Sequence, residues 1–259
     1  MKLQKAVNEQ LKLSALQQQT TQQQRTEQTV FKSIVGYFGK DKQIQAITTN
    51  DLIKYVEFLQ NEKKNKPSTI NLKLSLLCKI LRSNNCNNCK IPYLKIVAEK
   101  DYFFTEEEKS KIKKWCVENK EPELLQVIVI GLNTGCRISN NLSINPDTDI
   151  DKGYLRFYHN KTNKPYSVPL NQELKNFPIK KINLSYQQIV YKFNKMKKSL
   201  GLDKRATIHT LRHTFCSDLI NKGVEAPVVM KLANHKSIQV TMKYTHLKSE
   251  TLENAVSLL

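Results

Sequence analysis

The sequence predicts a mainly α-helical fold with one small β-sheet, of the α+β class, and three observations lead there. Apolar residues recur at helical spacing behind recognisable caps along most of the chain. Only two short segments, 154–158 and 166–170, alternate in the manner of strands. A turn-rich, basic run between residues 83 and 100 interrupts the pattern and divides the helices into two groups.

At the N-terminus, residues 1–28 form a polar, glutamine-rich arm with QQQTTQQQ at 17–24. Leu3, Val7 and Leu11 recur every four residues and suit a narrow apolar stripe on a helix. A helical arm on a partner and a frayed, partly disordered tail both fit this pattern. Globular patterning begins at Thr29, and residues 29–90 are expected to form a compact helical module. Its first helix carries Val30, Phe31, Ile34 and Phe38; Thr48 or Thr49 caps a second through Leu52, Tyr55, Val56 and Leu59. Pro67-Ser68 opens a third containing Ile70, Leu74, Leu77 and Leu81. The turn formers and proline that follow mark an interdomain linker, set at residues 91–103.

The second domain, residues 104–259, opens with a capping box formed by Thr105 and Glu108. After a helix with Ile112 and Trp115, the strongly apolar run ELLQVIVIGLNTG must be core, and it delivers the chain to Arg137. The two strand-like segments enclose a turn around Thr162, Asn163 and Lys164; Lys161 and Lys164 both lie at its mouth, and spacing does not separate them. Ser185 and Gln188 form another capping box, and the basic helix behind it ends at Gly201. The final stretch, 247–259, is an apolar-spaced tail.

Composition points to a polyanion. Against 42 Lys and Arg stand 23 Asp and Glu, a net charge of +19. The excess is spread along the chain: 17 basic against 7 acidic residues in 1–100, and 25 against 16 in 101–259. An AT-rich coding composition accounts for lysine over arginine but not for the shortage of acids. Lys63, Lys64, Lys66, Lys73, Lys79, Arg82 and Lys90 are the candidate phosphate contacts of the first module, and the alternative reading makes several of them simply solvated surface groups. Of the six cysteines, only Cys86 and Cys89 have metal or redox spacing, and no second pair accompanies them, so no metal site is expected. No apolar run approaches the ~18 residues of a membrane span, and no signal-peptide core is visible; a cytoplasmic protein with reduced thiols is expected.

The organising stretch is HTLRHTFCSDLINKGVEAPVVMKLANHKSIQVTMKYTH, residues 209–246. His209 and Arg212 are one helical turn apart on one face, His235 follows a second helix-like run, and Tyr244 lies nine residues beyond it. A tyrosine hydroxyl beside cations is a candidate nucleophile. With TGCRISNNL around Arg137 and the hairpin around Lys161, these motifs closely resemble the tyrosine recombinase (phage integrase) family. The resemblance covers most of residues 101–259 and matches six catalytic positions in order: Arg137, Lys161, His209, Arg212, His235 and Tyr244. It favours Lys161 over Lys164, and it implies a SAM-like core-binding domain for residues 29–90 ahead of a tyrosine-recombinase catalytic domain. Two positions depart from the family pattern. Asn140 stands where an acid is usual, and Ala233-Asn234 replaces Leu-Gly before His235; Asn tolerates the left-handed backbone that Gly would supply.

Phosphodiester transfer needs a nucleophile, neutralisation of the equatorial oxygens and a proton for the leaving oxygen. Arg137 and Arg212 can donate paired hydrogen bonds to non-bridging oxygens whatever the pH. An unperturbed tyrosine titrates near 10, so Tyr244 needs help in losing its proton, and His209 is the candidate for that task because it shares a turn with Arg212. His235 can bond the phosphate. The resemblance further implies Lys161 as general acid, a 3′-phosphotyrosine intermediate, double-stranded DNA recombination sites as partner, a homo-tetramer on synapsed DNA, and no cofactor. The expected function is thus site-specific DNA recombination of the integrase type, the alternatives being a Xer-like resolvase, a type IB topoisomerase-like enzyme or a non-catalytic DNA-binding protein. His213 and His246 are read as structural.

Overall fold

The structure, a computed structural model, describes residues 1–17, 20–86, 89–97, 102–158 and 165–245. The chain forms two compact units, Met1–Glu99 and Lys100–Leu259. Helices dominate both, and the sheet is confined to the second.

The first unit is built from α1 (Leu3–Leu16), α2 (Thr21–Phe38), α3 (Thr49–Asn61) and α4 (Pro67–Ser83). Thr48 caps α3 reciprocally with Asp51, and Pro67 occupies the first turn of α4, as the sequence indicates. The expected N-terminal arm is corrected here. Residues 3–16 are a packed helix, with Leu3, Ala6 and Val7 buried in one core with Phe31, Ile34, Leu52, Leu59, Ile70, Leu74 and Leu77. The beginning of the chain is stitched to the 40–44 loop by Leu3 N donating to Lys42 O (2.9 Å) and Ile44 N donating to Met1 O (3.0 Å). The apolar stripe therefore has a groove to fill, and the backbone bonds fix its depth. Helix α2 also begins eight residues before Thr29, because Thr20 and Gln23 make a capping box within the glutamine-rich run. Cys86 and Cys89 pack partly buried against this core, and the Cys89 thiol donates to Ile47 O at 3.0 Å.

In the second unit, α5 (Glu106–Glu118) follows the expected Thr105–Glu108 box, and α6 (Pro122–Thr134) is apolar on every side. Such a helix must be enclosed, and α6 feeds two cores: Leu124, Val127 and Ile128 face one, Val129 and Ile130 the other. The short helices α7 (Ile138–Leu142) and α8 (Pro146–Asp149) lead to the sheet. Strands β1 (Ile150–Asp151), β2 (Tyr154–Phe157) and β3 (Tyr166–Pro169) are antiparallel in the order β1-β2-β3, with Leu155 opposite Val168 and Phe157 opposite Tyr166. The two longer strands fall where the alternation is seen; β1 is too short to show a period. Then come α9 (Gln172–Asn176), α10 (Tyr186–Ser199) with its Ser185–Gln188 box, α11 (Thr210–Asn221), α12 (Ala226–Ala233) and α13 (Ile238–Met242). Helix α11 lies against α6 and is tied to the start of α5. Phe104 N donates to Thr214 Oγ1 (2.9 Å, buried), and Lys109 pairs with Asp218 at 2.7 Å.

Because Leu3 is fully enclosed, Leu3→Ala should destabilise the first unit by about 2–5 kcal/mol. A urea titration followed by circular dichroism measures this; a shift of only a few tenths would return residues 1–16 to the status of a loose arm.

Candidate active site

The site is assembled around the end of α6. Gly135 closes that helix in the left-handed region (φ +61°), and a Cβ there would lie 2.3 Å from the Phe215 ring on α11. Only glycine meets both requirements. Two residues on, Arg137 is the N-cap of α7 and is half-exposed. The carbonyl freed by the same turn, Gly135 O, accepts from Arg212 Nη1 at 2.7 Å. One glycine turn thus positions both arginines.

Arg212 is 3% exposed, and its Nη2 has no hydrogen-bond partner. Burial first, and then the neighbouring Arg137, lower its pKa from the ordinary value; a guanidinium remains charged at physiological pH nonetheless. His209, exposed at the N-cap of α11, stands edge-on to His213 with ring centroids 4.9 Å apart.

The other two groups arrive from α12 and α13. Helix α12 ends at Asn234 in the left-handed conformation (φ 51°, ψ 55°), as expected of the residue that replaces glycine there. The turn delivers His235, 7% exposed, whose Nδ1 is 2.7 Å from Thr241 Oγ1. Burial above all, then Arg212, Arg137, His209 and His213, depress the His235 pKa to about 4, so the ring is neutral at pH 7. Tyr244 follows α13. Its ring packs with Phe215, Cys216, Val229 and Ala233 and stacks nearly parallel to His235, 10° apart in plane with centroids at 6.3 Å.

Arg137, His209, Arg212, His235 and Tyr244 are therefore gathered in one place, linked by contact or by mutual electrostatic influence. Lys161, with Lys164 and His246, lies outside the described residues. His213, read as structural, is not a bystander: its Nδ1 is 2.6 Å from the Tyr244 hydroxyl. The signal available was its placement four residues after His209, on the same helical face. Tyr166 and Thr241 were also missed. Tyr166 accepts a hydrogen bond from Asn140 Nδ2 at 3.1 Å, and burial pushes its phenol up to about 12. Asn140, the residue in place of an acid, is 1% exposed and leaves its Oδ1 without a partner.

Among the candidate DNA contacts of the first unit, Lys63, Lys64, Lys66, Arg82 and Lys90 are exposed. Lys73 and Lys79 are turned towards α2: Lys73 Nζ donates to Ser33 Oγ at 3.2 Å, and Lys79 Nζ lies 3.7 Å from Glu27.

With this geometry in hand, comparison with known proteins gives a consistent result. Residues 177–251 match the phage integrase family. That match, with relatives named tyrosine recombinase and integrase, supports the tyrosine recombinase (phage integrase) family. Tyrosine recombinase XerA of Saccharolobus solfataricus is 25% identical over 248 residues, which span 87% of this chain and 82% of that one. The integrase of Haemophilus phage HP1 is 28% identical over 143 residues, 54% of this chain and 42% of its own length. In fold, the chain is similar to the Tn1549 transposon integrase in complex with a circular intermediate DNA, with a TM-score of 0.85 at 18% identity and full coverage of both chains. It is also similar to the λ integrase dimer bound to a COC′ core site, with a TM-score of 0.78 at 19% identity, covering 95% of this chain and 77% of that one.

Gly135→Ala combines a strained backbone with a collision at Phe215, so it should cost roughly 2–4 kcal/mol. It should also weaken DNA cleavage beyond what the stability loss explains, because both arginines hang from that turn; a chemical denaturation curve beside an activity assay separates the two effects. His235 supplies a pH prediction. A histidine titrates near 6.5 when unfolded, above its folded value of about 4, so the unfolded chain binds more protons between those limits. Its contribution is complete above pH 6.5 and is lost as pH falls towards 4. Thermal melts across this window should fall more steeply for wild type than for His235→Asn.

Proposed function

We propose that this chain is a site-specific DNA recombinase that cuts and rejoins strands through a 3′-phosphotyrosine, with Tyr244 as the nucleophile. The observation that carries the reading is the gathering of two arginines and three histidines around Tyr244, one histidine in contact with its hydroxyl, inside a unit with the recombinase fold. Arg137 and the free Nη2 of Arg212 bind the non-bridging oxygens and stabilise the charge that gathers there in the transition state. His235, neutral and held by Thr241 through Nδ1, presents Nε2 to the phosphate. His209 bonds the phosphate from the mouth of the site, and Lys161 protonates the departing 5′-oxygen. The phosphodiester energy is kept in the tyrosyl link, so religation to a second strand needs no ATP.

The substrate is double-stranded DNA. The +19 charge drives association, and the exposed Lys63, Lys64, Lys66, Arg82 and Lys90 of the first unit, acting as a core-binding domain, hold backbone phosphates. Exchange between two duplexes requires four cuts, and each protomer has one nucleophile. The acting species is therefore a homo-tetramer on two synapsed sites, working on mobile-element DNA in the cytoplasm. No described helix is long and apolar enough to cross a membrane.

The test uses a plasmid carrying the DNA that flanks the gene, in EDTA and without ATP, with wild type, Tyr244→Phe and Arg212→Ala. A covalent adduct that survives SDS should form with wild type, vanish with Tyr244→Phe and slow by about 10²–10³ with Arg212→Ala. An adduct that persists in Tyr244→Phe overturns the assignment of the nucleophile. Relaxation of any supercoiled plasmid, regardless of sequence, would replace recombination with topoisomerase action.

A further inference from the structure

The sequence offers His209 for the proton of Tyr244, but the hydroxyl is met by a different ring, His213, at 2.6 Å from Nδ1. The side chain is half-buried, with ring centroids 5.7 Å apart and planes inclined by 52°. That distance lies within the reach required of a general base, and the contact is made through one nitrogen, leaving Nε2 as the other proton-carrying position. We propose that His213 accepts the phenolic proton of Tyr244 during attack on the phosphodiester and returns it on religation, as a further catalytic residue of the reaction. The proposal rests on the recombinase reading above.

Two further observations bear on it. The first is rigidity: the neighbours of His213 on α11 are buried, and Thr214 Oγ1 donates to Thr210 O (2.8 Å) while accepting from Phe104 N (2.9 Å). Helix α11 cannot rotate as a body away from Tyr244 without breaking this anchor. The second is the company it keeps. On its own helix, His213 is faced by His209 and lies next to Arg212; from the segment after α12 come His235 and Tyr244, and Arg137 adds its charge from the α6–α7 junction. His235 is bonded to Thr241 through Nδ1, whereas His213 places its Nδ1 on the hydroxyl.

In the step, the Tyr244 O–H bond breaks and an Nδ1–H bond forms on His213, whose other proton rides on Nε2. The freed oxygen pair makes the O–P bond while the P–O5′ bond breaks, and O5′ takes its proton from the Lys161 ammonium. On religation, the 5′-hydroxyl of the incoming strand returns its proton to the Lys161 amine as O5′ attacks phosphorus, the O–P bond to Tyr244 breaks, and the departing phenolate recovers its proton from His213. No other reactant enters.

The experiment measures single-turnover adduct formation on a nicked duplex spanning the site mapped by the wild-type adduct, with His213→Ala and His213→Asn. Asn keeps an oxygen acceptor near the Nδ1 position but takes up no proton at neutral pH, so it separates proton transfer from positioning. Both variants should bind the duplex as wild type does and form adduct about 10²-fold more slowly. The wild-type rate should level off above the ordinary histidine range near 6.5, whereas the Ala rate should keep rising towards the phenol's own value near 10. A 5′-phosphorothiolate at the scissile position, whose thiolate leaves without a proton donor, should not rescue either variant. A His213→Asn rate equal to wild type, or full rescue by the phosphorothiolate, would overturn the proposal while leaving Tyr244 as nucleophile. Absence of a Tyr244-dependent adduct from wild type overturns the recombinase reading and this proposal together. If the Ala variant fails to bind DNA, the Asn variant carries the comparison.

Discussion

The hydrogen bond from Arg212 to Gly135 O is the contact on which the candidate site depends. It exists because α6 stops in a left-handed glycine, and the glycine is required because the Phe215 ring fills the space a side chain would need. The packing of α11 on α6, the direction of Arg212 and the start of α7 at Arg137 are thus one geometric decision. Apolar burial around α6 supplies the rigidity, and the turn converts it into the placement of two cations. The fold places this charged arrangement at the rim of its most apolar helix, where low polarisability strengthens each interaction with a phosphate.

The two units use burial differently. In the second, it shapes a reactive site; in the first, it holds four helices together so that exposed lysines and arginines are displayed on a firm surface. The ends of α1 illustrate the economy of the arrangement. The helix is retained because Leu3, Ala6 and Val7 are buried and because backbone bonds to the 40–44 loop hold its first turn, although Leu13 and Leu16 stay exposed.

Much of this was legible in the sequence, for identifiable reasons. Caps at Thr48, Thr105 and Ser185, the proline at the start of α4, the β2–β3 alternation and the left-handed Asn234 are local signals, and local chemistry sets them. The family motifs brought Arg137, His209, Arg212, His235 and Tyr244 onto one candidate list, and the structure gathers those five. What escaped was non-local. The packing of α1 depends on a loop some forty residues away, and the Thr20–Gln23 cap was hidden by the glutamines around it. Spacing indicated which face of α11 His213 occupies, but not that a hydroxyl 31 residues later would arrive there. The hydroxyl of Tyr166 likewise meets Asn140 across the sheet edge, a pairing that no periodicity encodes.

Asn140 has a consequence for the free protein. Where an acid would offset the arginines, this chain has a neutral amide, so Arg137 and Arg212 repel each other and both disfavour a charged His235. The site is an electrostatic liability until an anion enters. In the proposed function, a phosphodiester would relieve that repulsion, occupy the empty Arg212 donor and add its binding free energy to folding. On that reading the substrate would complete the balance of charge in the site as well as the reaction.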